Sequence, residues 1–330
     1  MSGDRGAARG DAPQSYYGRP IIKPPVWTWE IGAYLFTGGL GGASATLSLA
    51  ARAAGDHRLA RTSLLVGAAA DAASLPLLAH DLGRPGRFLN MLRMFKPRSP
   101  MSMGSWILAV SGTSSGVAAA LEVAGRLPRL KLAAEVAAGL AGPALSTYTG
   151  VLLADTAVPA WHEARRELPA VFGMSAAASA GAAATLLLPP ADAGPARRLA
   201  VAGVIGEGIA METMERRIGF VGEPYRTGTP GRLARWAKAL AGVGALLLGL
   251  RGRRSRTASV AGAAMVLAGE VCLRFCVFRA GFDSATDPAY TVRPQRERAD
   301  ARAAAAAGAQ EAGPSPEPGR IAPGDGDGAR

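Results

Sequence analysis

Long apolar runs separated by short charged stretches recur along the chain from residue 31 to residue 278. A hydrocarbon core ~30 Å thick takes about 20 apolar residues per helix, with slack for tilt and for polar positions that face protein. Eight runs meet that test. Residues 31–51, 104–121, 136–154 and 168–191 carry no charge. Residues 62–79 are interrupted by Asp71, and 257–278 by Glu270 and Arg274. The most polar are 199–214, with Glu207 and Glu212, and 236–250, whose Lys238 must snorkel. The pattern predicts an all-α, polytopic membrane protein with eight transmembrane helices in two four-helix bundles, residues 27–155 and 156–280, behind a polar N-terminal tail, 1–26.

An even number of spans puts both termini on one side. The loops of the other side are short and basic, the densest being RGRRSR at residues 251–256. An excess of Arg and Lys in short loops favours the cytoplasm, so both termini are expected outside. Nothing before Trp27 has the apolar core of a signal peptide, so the first span is expected to direct insertion. Residues 281–330 turn to Ala, Gly, Pro and charge, too polar to offset ordering entropy, and are expected to be disordered.

Composition agrees with this reading. Hydrophobic residues make up 49% of the 330, aromatics only 6%, and the polar tails hold the mean hydropathy to +0.15. The net charge of +12 would suggest nucleic acid in a soluble protein, but the basic residues lie between apolar runs, where they anchor helices at headgroups. Cys272 and Cys276 stand four apart inside a span, which suits neither a zinc nor an iron–sulfur site.

The stretch from His80 to Trp106 is the least ordinary. Phe88, Leu89, Met91, Leu92, Met94 and Phe95 suit a short amphipathic helix lying in the interface between spans two and three, stopped by prolines at both ends. It is either a cap that seals the bundle or a docking platform on which Arg84, Arg87, Lys96 and Arg98 meet an acidic partner.

Here the chain resembles a known family. SYYGRPIIKPPVWTWEIGAYLFTGGLGGAS, DLGRPGRFLNMLRMFKPRSPMSMGSW and STYTGVLLADTAVPAWHEARRELPAVFGMSAAASAGAA are similar to the NrfD-like membrane subunits of polysulfide reductase, over residues 15–184. The resemblance implies an eight-helix, quinone-reactive subunit without haem or iron–sulfur cluster of its own. Its implied partners are a ferredoxin-like iron–sulfur subunit and a molybdopterin catalytic subunit. In the family the quinone, menaquinone above all, sits near the outer face against the first and fourth helices, which correspond to the Trp27–Tyr34 region and Tyr148. Where better-known members carry Asn or His in the first helix, this chain offers Trp29, Glu30 and Tyr34.

The residues give their own reading beside that. A carboxylate at mid-span costs ~2.5–3.5 kcal/mol on insertion scales, so Asp71 must face protein, water or a ligand. It is either a helix-to-helix hydrogen bond or a proton carrier. Glu30 either caps the first span or serves a ligand, and the Tyr148 phenol either packs or donates to a carbonyl oxygen. Glu270 and Arg274, at i and i+4, can neutralise one another. Glu207 lacks a partner nearby in sequence and is the better candidate for proton passage. His80 beside Asp81 can exchange protons with the surface. His57, His80 and His162 all lie in loops or at span ends, so bis-His haem ligation is excluded. Two rivals to a quinone subunit stay open: a proton-coupled secondary transporter using Asp71, Glu207 and Glu270, and an anchor without redox chemistry.

Overall fold

The structure is a computed structural model that describes residues 21–81, 90 and 92–311. Among them there is no strand. The long helices are α1 (Trp29–Ala53), α2 (His57–Asp81), α3 (Pro100–Ala124) and α4 (Pro128–Ala154), then, after the short α5 (Pro159–Glu163), α6 (Leu168–Leu187) and α7 (Gly194–Ile218). A 3-10 segment, Gly219–Tyr225, leads to α8 (Gly228–Leu250) and α9 (Arg256–Thr286). Proline at the first turn starts α3, α4 and α6, where its missing N–H costs nothing.

Six helices, α2, α3, α4, α6, α8 and α9, are long and apolar enough to cross a membrane. The other two expected spans form helices of 25 residues, α1 and α7, but do not reach that apolarity. Glycine and serine dilute α1, and α7 carries Arg197, Arg198, Glu207 and Glu212. The chain is a multi-pass membrane protein on these six helices.

Helix α6 occupies the centre. Its Ala, Gly and Ser surface lets α1, α2 and α4 approach on one side and α7 and α9 on the other, so it joins the two expected groups of helices. Close approach through small residues is how helices associate where lipid supplies no hydrophobic drive. Between α1 and α4 it is extreme: a methyl on Gly42 would lie 2.5 Å from the Gly142 carbonyl oxygen.

Two expectations change. Residues 281–286 are not tail but the last turns of α9, where Gly281 packs so tightly on the buried Trp161 ring that any side chain would collide with it. Residues Ala289–Glu311 form a helix, α10, instead of disordered chain, as their run of alanines, the strongest helix former, allows. The chain divides into two compact units, 1–290 and 291–330, and the second contains most of α10. Most of the expected interfacial helix lies outside the described residues, as do Arg84, Arg87 and the N-terminal tail through residue 20. Its described end, residues 92–99, forms turns pinned to α3: Ser102 Oγ donates to the Met94 carbonyl at 2.9 Å, and the Trp106 indole N–H donates to the same oxygen at 3.3 Å.

Candidate functional site

Helices alternate in direction, so the start of α1, the end of α2, the start of α3 and the end of α4 meet at one end of the molecule. They enclose a slot of about 120 Å³, lined mainly by apolar side chains. Trp27 and Leu35 come from the α1 side, Leu78 from α2, Met101 and Leu108 from α3, and Leu152 from α4. Its polar groups are Tyr34, Asp81, Ser105 and Tyr148. The Tyr34 and Tyr148 hydroxyls are hydrogen-bonded to each other. Gly104 makes room for the Tyr148 ring, which a methyl there would strike.

At the mouth, Asp81 Oδ1 accepts from the Thr28 backbone N–H at 3.2 Å and from its hydroxyl at 3.1 Å, tying the end of α2 to the start of α1. Next to this clasp, His80 Nδ1 lies 2.6 Å from Glu30 Oε1; the imidazole is 77% exposed and the carboxylate 6%. Water therefore reaches one partner of the pair and not the other.

Inward from the slot, Thr37 and Ser74 share a hydrogen bond of 2.8 Å between α1 and α2. Beyond them lies Asp71, buried at 3% exposure. Ser115 Oγ donates to its Oδ2 at 2.6 Å, while Oδ1 has no hydrogen-bond partner and fits only because Gly41 has no side chain. A buried polar atom without a partner is uncommon and asks for an explanation.

A second polar cluster lies among α6, α7 and α9. Glu207 and Glu270 interact with each other, and Ser175 Oγ donates to Glu270 Oε2 at 2.5 Å. Arg274 is only 1% exposed. Its guanidinium stacks over the Phe172 ring, 3.9 Å from the centroid, and donates to the Phe172 carbonyl at 2.8 Å. The expected Glu270–Arg274 neutralisation thus takes another form: Arg274 balances both glutamates through space while its hydrogen bond goes to the backbone of α6. Glu207 has no partner nearby in sequence; the groups it meets, Glu270 and Arg274, lie more than sixty residues on, and its Oε2 has no hydrogen-bond partner.

The structure brings Tyr34, Tyr148 and Asp81 to one slot, with Glu30 and His80 beside it and Asp71 beneath. It separates Trp29, which is 58% exposed and does not line the slot; Trp27 does, stacked 5.7 Å from Trp161. Glu207 belongs to the other cluster. Lys96 and Arg98 are exposed beside Met94 and Phe95, at the slot's end of the molecule. Sequence reasoning missed Glu135 at the opposite end, 1% exposed and accepting from Ser48 Oγ at 2.7 Å and Arg52 Nε at 2.5 Å. A lone acid opening an apolar run, with a basic loop facing it, was the available signal. Among the described residues no group of three His, Cys, Asp or Glu side chains could hold a metal.

A bundle of apolar helices with a slot at one end and acids buried behind it defines a multi-pass membrane protein. The family model described as Polysulphide reductase, NrfD, matches residues 21–211, more than half of the chain, and the chain belongs to that family. Membership makes it a membrane subunit of the polysulfide-reductase kind. No curated protein matches it. The matched segment ends within α7, so it includes the whole slot and Glu207 but not Glu270 or Arg274.

Proposed function

We propose that the chain is the quinone-reactive membrane subunit of a respiratory oxidoreductase, exchanging electrons between quinone or quinol and an iron–sulfur partner. The observation that carries this is the Tyr34–Tyr148 pair at the wall of an apolar slot. Between them two phenols own two donor hydrogens and use one on each other. The second is free to meet a carbonyl oxygen in the slot. A cavity of about 120 Å³ is below the ~300–1,000 Å³ of pockets that engulf a drug-sized ligand, so it suits a flat headgroup whose isoprenoid tail stays in lipid.

When bound, a quinol supplies two electrons and two protons. The chain's residues do the rest. Trp27, Leu78 and Leu108 exclude water from the ring, and the tyrosines orient it. Asp71 Oδ1, unpaired and buried, is the group able to take a proton inward. His80, pairing with Glu30 and open to water, exchanges protons at the mouth with Asp81 beside it. Glu207, with Glu270 and Arg274, offers a further proton-holding site in the second half of the bundle. In this reading α1 and α7 also span, giving eight spans with both termini outside, in the cell membrane. An iron–sulfur subunit docks on residues 80–105, using Lys96 and Arg98 together with Arg84 and Arg87, and carries electrons between the quinone site and a molybdopterin catalytic subunit. Menaquinone is the quinone expected.

The test is purification with its partners. Bound quinone and quinol-dependent reduction of the partner's clusters are expected, and the lack of both would overturn the reading. Lys96→Glu with Arg98→Glu should release the partner while leaving quinone bound. Substrate uptake by the chain alone in liposomes would favour the transporter instead. Against that alternative, Asp71 sits with Ser115, apart from the Glu207–Glu270 cluster, where a coupling site would gather its acids at one place.

A further inference from the structure

At the end of the molecule opposite the slot, the first turn of α7 and the loop after α8 bring Arg197, Arg198 and Arg253 together at the head of a groove of about 420 Å³. The Arg197 side chain lies against Gly252 in that loop, where a methyl would come within 2.9 Å of its Cδ. The three guanidiniums repel one another, and no acid among the described residues forms an ion pair with any of them. Arg197 donates to the Pro190 carbonyl at 3.3 Å, which leaves its charge unbalanced, whereas the neighbouring Arg58 pairs with Asp192 at 2.6 Å. Below the arginines the groove is apolar, with Val201 and Ile205 on one wall and Gly249 on the other. The groove is open beside Gly249, where a methyl would touch nothing within 4 Å, and at Ile205 it adjoins a second hollow lined by Gly208 and Ile209.

Unpaired like charges held together at the level where helices leave the bilayer, over an apolar channel that runs into it, have the shape and polarity of one ligand class. We propose that this groove is a binding site for an anionic phospholipid, with the phosphate against Arg197, Arg198 and Arg253 and an acyl chain along Val201 and Ile205. A soluble anion would satisfy the arginines but would leave the apolar channel below them uncovered. The site also bears on α7, which does not reach the apolarity of the six membrane-crossing helices. A lipid clamped between α7 and the α8–α9 loop supplies apolar cover and charge balance together.

The experiment is lipid titration of the full chain, purified with whatever subunits accompany it, read by native mass spectrometry and by thermal shift. Phosphatidylglycerol should remain bound and raise the melting temperature; phosphatidylcholine with the same acyl chains should do neither, and salt should weaken the effect. At about fivefold per arginine, the double variant Arg198→Gln, Arg253→Gln should bind phosphatidylglycerol roughly thirtyfold more weakly. Both side chains are exposed, so the fold should survive. The control Arg232→Gln, Arg235→Gln, at the other end of α8, should bind as wild type. Equal binding of the two lipids, full displacement by inorganic phosphate, or equal loss in the control pair would each overturn the proposal. None of these outcomes depends on quinone chemistry.

Discussion

Tyr34 on α1 and Tyr148 on α4 stand 114 residues apart in the chain and share a hydrogen bond between their hydroxyls. Both rings line the slot, so the bond couples the two helices through the place where a ligand would sit.

Removing one phenolic oxygen should therefore affect function more than folding. Tyr148→Phe is expected to slow quinol turnover about tenfold, the weight of one hydrogen bond, while the complex stays intact on purification. Tyr34→Phe should behave alike. The double variant should lose less than the product of the singles, because the two hydroxyls act as one unit.

The slot should also be open to disruption from behind. A methyl at Gly104 strikes the Tyr148 ring, so Gly104→Ala should weaken quinone binding without touching a polar group. Overpacking of this kind costs ~1–3 kcal/mol, to be read as a lowered melting temperature alongside the altered quinone affinity.

Asp71 separates charge from shape. Asp71→Asn keeps the bond from Ser115 and removes a buried carboxylate, so the variant should melt no lower than wild type. If the carboxylate accepts protons, turnover should fall roughly a hundredfold. Unchanged turnover would make Asp71 a structural hydrogen bond.

In the second cluster the guanidinium balances two acids. Arg274→Met should destabilise by ~3–5 kcal/mol, because Glu207 and Glu270 are left without a buried cation. Adding Glu270→Gln should restore part of that loss. Chemical denaturation in detergent, comparing the single and double variants, decides it.

Much of this was legible in the chain. The apolar runs marked the long helices from α1 to α9, though not α10, because the cost of placing a residue in hydrocarbon is local and adds along a segment. Tyr34, Tyr148 and Asp81 could be named in advance because polar groups in or at the edge of a span are few. Trp29 and Trp27 exchanged places for a simple reason: Trp27 precedes the helix, so helical periodicity could not say where it points. Glu135 went unremarked because its partners, Ser48 and Arg52, lie more than eighty residues away on α1.

The sequence by itself determined that this chain lives in a membrane, which segments form its apolar helices, and which polar side chains must be buried if they are to be there at all. Tertiary structure decided which of those side chains meet. Each helix is free to rotate about its axis until small residues such as Gly42 and Gly142 interlock with a neighbour, and hydropathy averages over that rotation. Only the packed bundle fixes the angle that puts one tyrosine against another, or turns Arg274 away from its own helix toward α6 and Glu207.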